Sequence, residues 1–301
     1  MQGFEGNFDL YPEGKFKMQT QQTVRPSPIA GRWYPGDANA LAHEVDQYVQ
    51  DAQLPELDGE VVAIMVPHAG HLYSGPVAGY AFRALRNCTP DLVAVVSPMH
   101  HPYPYPLLTS LHRAYWTPLG EIEIDREAVE KLNHILHDRL GFGLTPVGHD
   151  PEHSLEIELP FLQRVLKSPF QLLPVMVREQ SQPVIQPLGT ALAEVLEGHN
   201  ALLVASTDLS HFYPQRVANQ LDAEMLHQVE TFNPEGVLRI EEEGKGFACG
   251  RGALAAVMWA AKAMHATQVV VLHHATSGDV TGDTSEVVGY GAAVMLKPVG
   301  G

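Results

Sequence analysis

Cysteine is scarce in this chain of 301 residues, with only Cys88 and Cys249. Two thiols cannot build a disulfide framework, so stability must come from a packed core, and a reducing cytoplasm suits the composition. Long apolar runs are missing too. None approaches the roughly 18 residues that a membrane-spanning helix needs, and no basic segment followed by an apolar stretch marks a secretory signal. Positive charge is also in short supply: 19 Lys and Arg face 35 Asp and Glu, for a formal net charge of −16. An acidic surface repels phosphate backbones and anionic lipid, so neither nucleic acid nor membrane is an expected partner.

What remains is ordinary globular material, 45% hydrophobic and 18% charged, together with 16 histidines. Histidine is the commonest metal ligand and the usual acid or base near neutral pH, so the positions of these imidazoles carry the information.

Residues 1–20 contain Gly3, Gly6, Pro12 and Gly14 without periodicity and are expected to form an irregular arm, with Met18 a second candidate start. Residues 21–301 are expected to form one domain. Leu41, Val45 and Val49 repeat at helical spacing within a helix expected from Ala38 to Ala52. Further helices are expected at Pro76–Leu85, Arg126–His137, Ser154–Leu166 (kinked or restarted at Pro160), Pro187–Glu197, Ala218–Thr231 and Gly252–Met264. Apolar runs at Val61–Val66, Leu92–Val96, Gln171–Val177, Ala201–Ala205, Gln268–Leu272 and Val287–Leu296 read as strands, and the Pro-rich stretch 98–106 as a loop. Such alternation predicts an α/β fold, a central parallel or mixed sheet covered by helices on both faces.

Three of these strands end alike: in Pro67-His68-Ala69-Gly70-His71, in Ser97-Pro98-Met99-His100-His101, and in Ser206-Thr207-Asp208-Leu209-Ser210-His211. Open α/β sheets bind ligands beyond the carboxyl ends of their strands, so parallel neighbours would aim His68, His100 and His211 at one pocket. Asp150-Pro151-Glu152-His153-Ser154 gathers acid and imidazole at a helix start, and Ala248-Cys249-Gly250 places a thiol before an apolar helix. A helix N-terminus lowers a thiol pKa, which makes Cys249 a candidate ligand or nucleophile. Asp279 and Asp283 follow another strand and could wall the pocket. Each of these residues alone is more often a turn, a cap or a packed side chain; the recurrence at five element ends argues for a site.

The motifs resemble those of the Memo family: Val24-Arg25-Pro26, Ala30-Gly31-Arg32-Trp33-Tyr34-Pro35, Pro67-His68-Ala69-Gly70, Tyr73-Ser74-Gly75, Pro98-Met99-His100-His101, Thr117-Pro118-Leu119-Gly120, Glu152-His153-Ser154-Leu155-Glu156, Asp208-Leu209-Ser210-His211, Cys249-Gly250-Arg251 and Ser277-Gly278-Asp279. They fall in order across roughly residues 24–296. In prokaryotes the family is component B of the AmmeMemoRadiSam system, so the resemblance implies an AMMECR-type protein and a radical-SAM protein as partners. It also implies a fold similar to class III extradiol dioxygenases, which use non-haem iron(II). By that likeness His68 and His100 match the two histidine ligands, Cys249 takes the place of the carboxylate ligand, and Asp208 and His211 match the proton-handling pair. His71 stands where many relatives carry tyrosine, and Met99 where they often carry serine.

The expected function is a metal-dependent oxidoreductase of unknown substrate. His68, His100 and Cys249 would hold one transition-metal ion, iron(II) first and copper or zinc as alternatives. His211 would move protons with Asp208 orienting it, and His71, His101, His153 and Asp279 would contact a small-molecule or peptide ligand. Of the adjacent pair His100 and His101, only His100 should face the metal, because successive residues of an extended segment point opposite ways. Two alternatives stand beside this reading. One is a metal-independent enzyme with Cys249 as nucleophile, His211 as base and Asp208 as orienter; the other is a non-catalytic module that holds a peptide or protein partner in the old pocket.

Overall fold

The computed structural model describes residues 21–298, so the arm expected at residues 1–20 lies outside the described residues. The chain opens with β1 (Gln21–Arg25), α1 (Ala38–Asp51), β2 (Glu60–Val66), α2 (His71–Arg83) and β3 (Leu92–Pro98). Short strands β4 (Leu107–Ser110), β5 (His112–Thr117) and β6 (Gly120–Glu123) follow, then α3 (Arg126–Leu140) and β7 (Thr145–Val147). A 3-10 turn at Glu156–Glu158 runs into α4 (Leu159–Val165), β8 (Gln171–Val177), α5 (Gln182–Leu196) and β9 (Ala201–Ser206). The last part holds β10 (His211–Tyr213), α6 (Gln215–Glu230), α7 (Pro234–Glu242), α8 (Arg251–Ala263), β11 (Gln268–Thr276), α9 (Ser277–Thr281) and β12 (Val287–Lys297).

The main sheet runs β10-β12-β2-β9-β3-β8-β4-β7, with β11 also paired to β12. Its centre, β2-β9-β3-β8, is parallel, while β12 and β4 join it antiparallel. The sheet is therefore mixed, within a single α/β domain. Every residue of β3, and every residue after the first in β8 and β9, is buried, so helices cover both faces there. Apolar runs rather than alternating ones are the sequence mark of that double cover. A second, three-stranded sheet of β1, β5 and β6 stands beside it.

Local chemistry sets the element ends. The Asp37 side chain accepts from the Ala40 amide to cap α1, and Leu41, Val45 and Val49 are buried as their spacing predicts. Helix α2 begins at His71, five residues ahead of the expected Pro76, and contains that proline. The first turn is anchored from outside the helix: the His71 amide donates to Trp33 O (2.8 Å) and Ser74 Oγ to Ala69 O (2.7 Å). The segment expected as a helix from Ser154, kinked or restarted at Pro160, divides into the 3-10 turn and α4, with Pro160 in the first turn of α4. Most important for the site, β2, β9 and β3 are adjacent and parallel, so the chain leaves all three at one edge.

Candidate metal centre

His68 follows β2 and is fully buried. Its amide donates to Asp208 Oδ1 (2.7 Å), and its Nδ1 meets Ser206 Oγ (2.9 Å) at the end of β9. Burial, then the nearby His100 and His153 rings, drive the His68 pKa well below the ordinary imidazole value. A neutral ring with its Nδ1 engaged leaves Nε2 facing the pocket, the form a metal ligand requires. Behind it, Ser206 Oγ also contacts Ser154 O (2.6 Å) and Glu158 Oε1 (2.8 Å). Burial raises the Glu158 carboxyl well above the usual range, which favours its neutral form beside this hydroxyl.

His100 leaves β3 beside it, and Glu152 organises the meeting. One Glu152 oxygen accepts the His100 amide (2.6 Å); the other faces His100 Nδ1 (2.9 Å) and accepts the amides of His153 and Ser154 (3.0 Å each). Burial pushes Glu152 upward, but its bond to His100 and the charges of both rings outweigh that and hold it well below the carboxylate range. His100 and His153 stack with centroids 4.9 Å apart, and each meets His68 edge-on, at 5.2 and 5.5 Å. One ring nitrogen from each of His68, His100 and His153 lies within 4.8 Å of the others, an arrangement suited to a metal ion. Trp33 covers the outer side of His153 at 4.1 Å.

The loop carrying Glu152 and His153 is fastened from below by Arg25. Its guanidinium bonds Asp150 Oδ1 (2.6 Å), Glu156 Oε2 (2.5 Å) and Glu152 O (2.7 Å), with both carboxylates buried. Tyr34 Oη donates to the other Glu156 oxygen (2.7 Å), which Ser27 Oγ also contacts. The Arg-Pro and Trp-Tyr-Pro motifs near residues 25 and 33 thus wall and brace the pocket.

On the opposite side, Cys249 Sγ lies 3.1 Å from His68 Nε2. The loop before α8 reaches this far because Gly250 has no side chain: a Cβ there would sit 2.4 Å from Ser206 O. Thr207 Oγ1 accepts the Gly250 amide (2.9 Å), and Asp208 O accepts that of Cys249 (3.2 Å). The expected lowering of the Cys249 thiol at a helix start is overturned. Burial, reinforced by Asp208, pushes it far up, so without a bound cation the sulfur keeps its proton. Asp208 is itself raised to about 7, by burial against the opposing amide bonds from His68 and Ala69.

His211 stands at the rim, 5.2 Å from Phe247 and 5.7 Å from Phe212 between ring centroids. Burial, then the charge of His100, lowers its pKa, and Asp222 acts to raise it. Asp208 does not orient this ring as the sequence suggested, since its carboxylate bonds the His68 amide and faces His68 Nε2 at 4.0 Å.

The remaining sequence candidates lie outside the three-imidazole group. His71 turns into the packing beside the pocket, with Nδ1 on Glu44 (3.1 Å), Nε2 on Ile157 O (3.2 Å) and the ring against Phe161. His101 is not a member of the three-histidine group. Asp279 closes a capping box with Thr276 at the start of α9 and bonds Gln215 (2.9 Å). Sequence reasoning placed His153 on the ligand side rather than in the imidazole group, marked Glu152 only as site material or a helix cap, and gave no role to Glu158 or Asp222. An acid directly before a histidine was the available signal for Glu152.

Residues 25–294 match the family model described as Memo-like protein. A MEMO1 family protein of Nitrosopumilus maritimus is 33% identical over 278 residues, 91% of this chain and 100% of its own length. A MEMO1 family protein of Methanopyrus kandleri is 34% identical over 286 residues (91% and 99%), and one of Methanosarcina barkeri 31% over 274 residues (90% and 100%). The chain belongs to the Memo family.

Proposed function

We propose that this pocket is a transition-metal centre and that the chain is a metal-dependent oxidoreductase. The observation that carries the reading is the convergence of three imidazoles with the Cys249 thiol beside His68 Nε2. Such a donor set fits iron(II), copper or zinc. His68, His100 and Cys249 would hold the ion, with His153 a fourth donor or a neighbour of the bound substrate. A bound iron or copper ion would supply redox chemistry, and zinc only Lewis acidity. Ser206 and Glu152 fix which nitrogens of His68 and His100 face the pocket, and Trp33 packs against His153 and Phe247 against His211. His211, outside the imidazole group, takes up or delivers a proton at a ring nitrogen, and burial keeps that ring neutral and ready to accept.

The metal-free Cys–His alternative is disfavoured: Cys249 is raised rather than activated, and the imidazole against it is His68. A binding role for a peptide, an AMMECR-type protein or a radical-SAM protein has one supporting observation. Leu72, Tyr73, Phe212 and Tyr213 are all exposed on the elements that border the pocket. Among the described residues no helix is long and apolar enough to cross a membrane.

Metal analysis of anaerobically purified protein tests the proposal. His68→Ala, His100→Ala and Cys249→Ala should lose the ion or its tight binding, whereas His101→Ala and His211→Ala should keep it. Equal metal content in all five variants and the parent chain would remove the metal centre and leave the binding role.

A further inference from the structure

Asp222 sits in the middle of α6 and is completely buried, an expensive place for a carboxylate. Two contacts explain how it is held. Its Oδ1 accepts the amide of Ser210 (2.9 Å), the residue before His211, and its Oδ2 meets His274 Nε2 (2.8 Å) on β11. The surrounding backbone is shaped to admit it. A Cβ on Gly289 of β12 would lie 1.9 Å from Asp222 Oδ2, so any larger residue there would evict the carboxylate. Gly289 also grips the same loop through its main chain, donating to Ser210 O and accepting from Leu209 N (2.8 Å each). Both flanking strands meet β12 at this point, His211 pairing with Val288 and His274 with Gly291.

The segment so restrained needs restraint. Phe212, directly after His211, adopts φ 62°, a left-handed conformation that costs a non-glycine residue about 1 kcal/mol or more, and its side chain is 71% exposed, so packing does not hold it there. The main-chain bonds to β12 hold the strand, and the Asp222 bond to the Ser210 amide is the side-chain tether directly before His211.

We infer that Asp222, pinned by His274, is the positioning residue for His211 and fills the role that sequence order suggested for Asp208. The inference rests on His211 being the proton carrier of the proposed function. Among the groups acting on His211, His100 and His68 oppose its protonation and Asp222 favours it. Asp222 therefore holds the loop and stabilises the protonated ring as it forms. His274, with 26% of its side chain exposed, keeps the carboxylate from turning away.

The test is NMR titration of the His211 ring in zinc-loaded protein, parent chain against Asp222→Asn. Asparagine is isosteric and can still accept from Ser210, so the fold should survive while the charge is gone. The His211 midpoint should fall by about one unit, as expected when an opposite charge close by is removed, with zinc content unchanged. An unchanged midpoint and unchanged ring shifts overturn the inference. If Asp222→Asn does not fold, the parent chain still decides: the Asp222 carboxyl carbon should shift with the His211 midpoint, and a carbon that ignores that titration overturns the inference too. The parent reading fails separately, if His211→Ala loses zinc as completely as His68→Ala.

Discussion

The two sides of the pocket are built by opposite means. On the side of β3, charges are compensated: Arg25 lies between Asp150 and Glu156, and Glu152 between two imidazoles and three amides. On the side of β9 and α8, Asp208 and Cys249 share the neutral His68 ring and main-chain groups as partners, with no Lys or Arg among the described residues paired to them, and both titrate upward from their usual values. The first side is preorganised by ion pairs formed on folding. The second holds acidic groups whose anionic forms await a positive charge, which a metal ion at His68 Nε2 would provide. One side positions, and the other responds.

The comparison breaks most easily at Arg25. Arg25→Met should destabilise the chain by about 3–5 kcal/mol, because it strands two buried carboxylates. Urea denaturation gives the value, and a loss under about 1 kcal/mol would mean that the ion pairs do not hold this side together.

Acid provides the next largest effect. His153 is depressed from 6.5 to about 4, by burial first and by the His100 and His101 charges next, against the pull of Glu152. The folded chain therefore binds fewer protons at this ring than the unfolded chain does between those values. Stability from this group is complete above about 6.5 and declines as pH falls from there to about 4. His153→Gln should flatten that part of the stability profile in chelator-treated protein, and an identical slope in both proteins would show that the ring is not held neutral.

Glu152→Gln should then weaken metal binding by about 10–100-fold, because an amide cannot support His100 as the carboxylate does. Stability should change less than in Arg25→Met, since no buried cation is left alone. Calorimetric titration with zinc would read it, and an unaltered affinity would show that the backing of His100 is irrelevant to the site.

Much of this architecture was legible in the chain. The apolar runs ending in His68, His100 and His211 marked three parallel neighbours because strands covered on both faces need no alternation. The short strands β4–β7 escaped notice: Pro102, Pro104 and Pro106 precede them, and runs of three to six residues carry too little periodicity. The supporting residues were illegible for a different reason. Arg25 finds Asp150 and Glu156 across more than 120 positions, as its separations of 125 and 131 show, and Asp222 looks like any polar residue of an amphipathic helix. Only tertiary packing pairs them.

The responsive side is best probed where its loop is tied rather than at its acids. Thr207 is buried, and its Oγ1 both accepts the Gly250 amide (2.9 Å) and donates to Asp208 O (2.9 Å). Thr207→Val keeps the volume and removes both bonds, leaving a buried amide unpaired, which costs about 1–3 kcal/mol when nothing relaxes and nearer 1 where a loop can shift. This is the smallest effect of the series, and global stability is a blunt way to see it. A sharper readout is the alkylation rate of Cys249 measured against Cys88, the other free cysteine, which lies outside the site. If the Thr207 hydroxyl holds the Cys249 loop against the end of β9, the variant should expose the sulfur and speed its alkylation while Cys88 reacts as before. Loading with zinc should then slow Cys249 again, because a coordinated thiolate is engaged. A Cys249 rate untouched by either the substitution or zinc would show that the loop is held by packing alone, and that the two sides of the pocket differ less than their charges suggest.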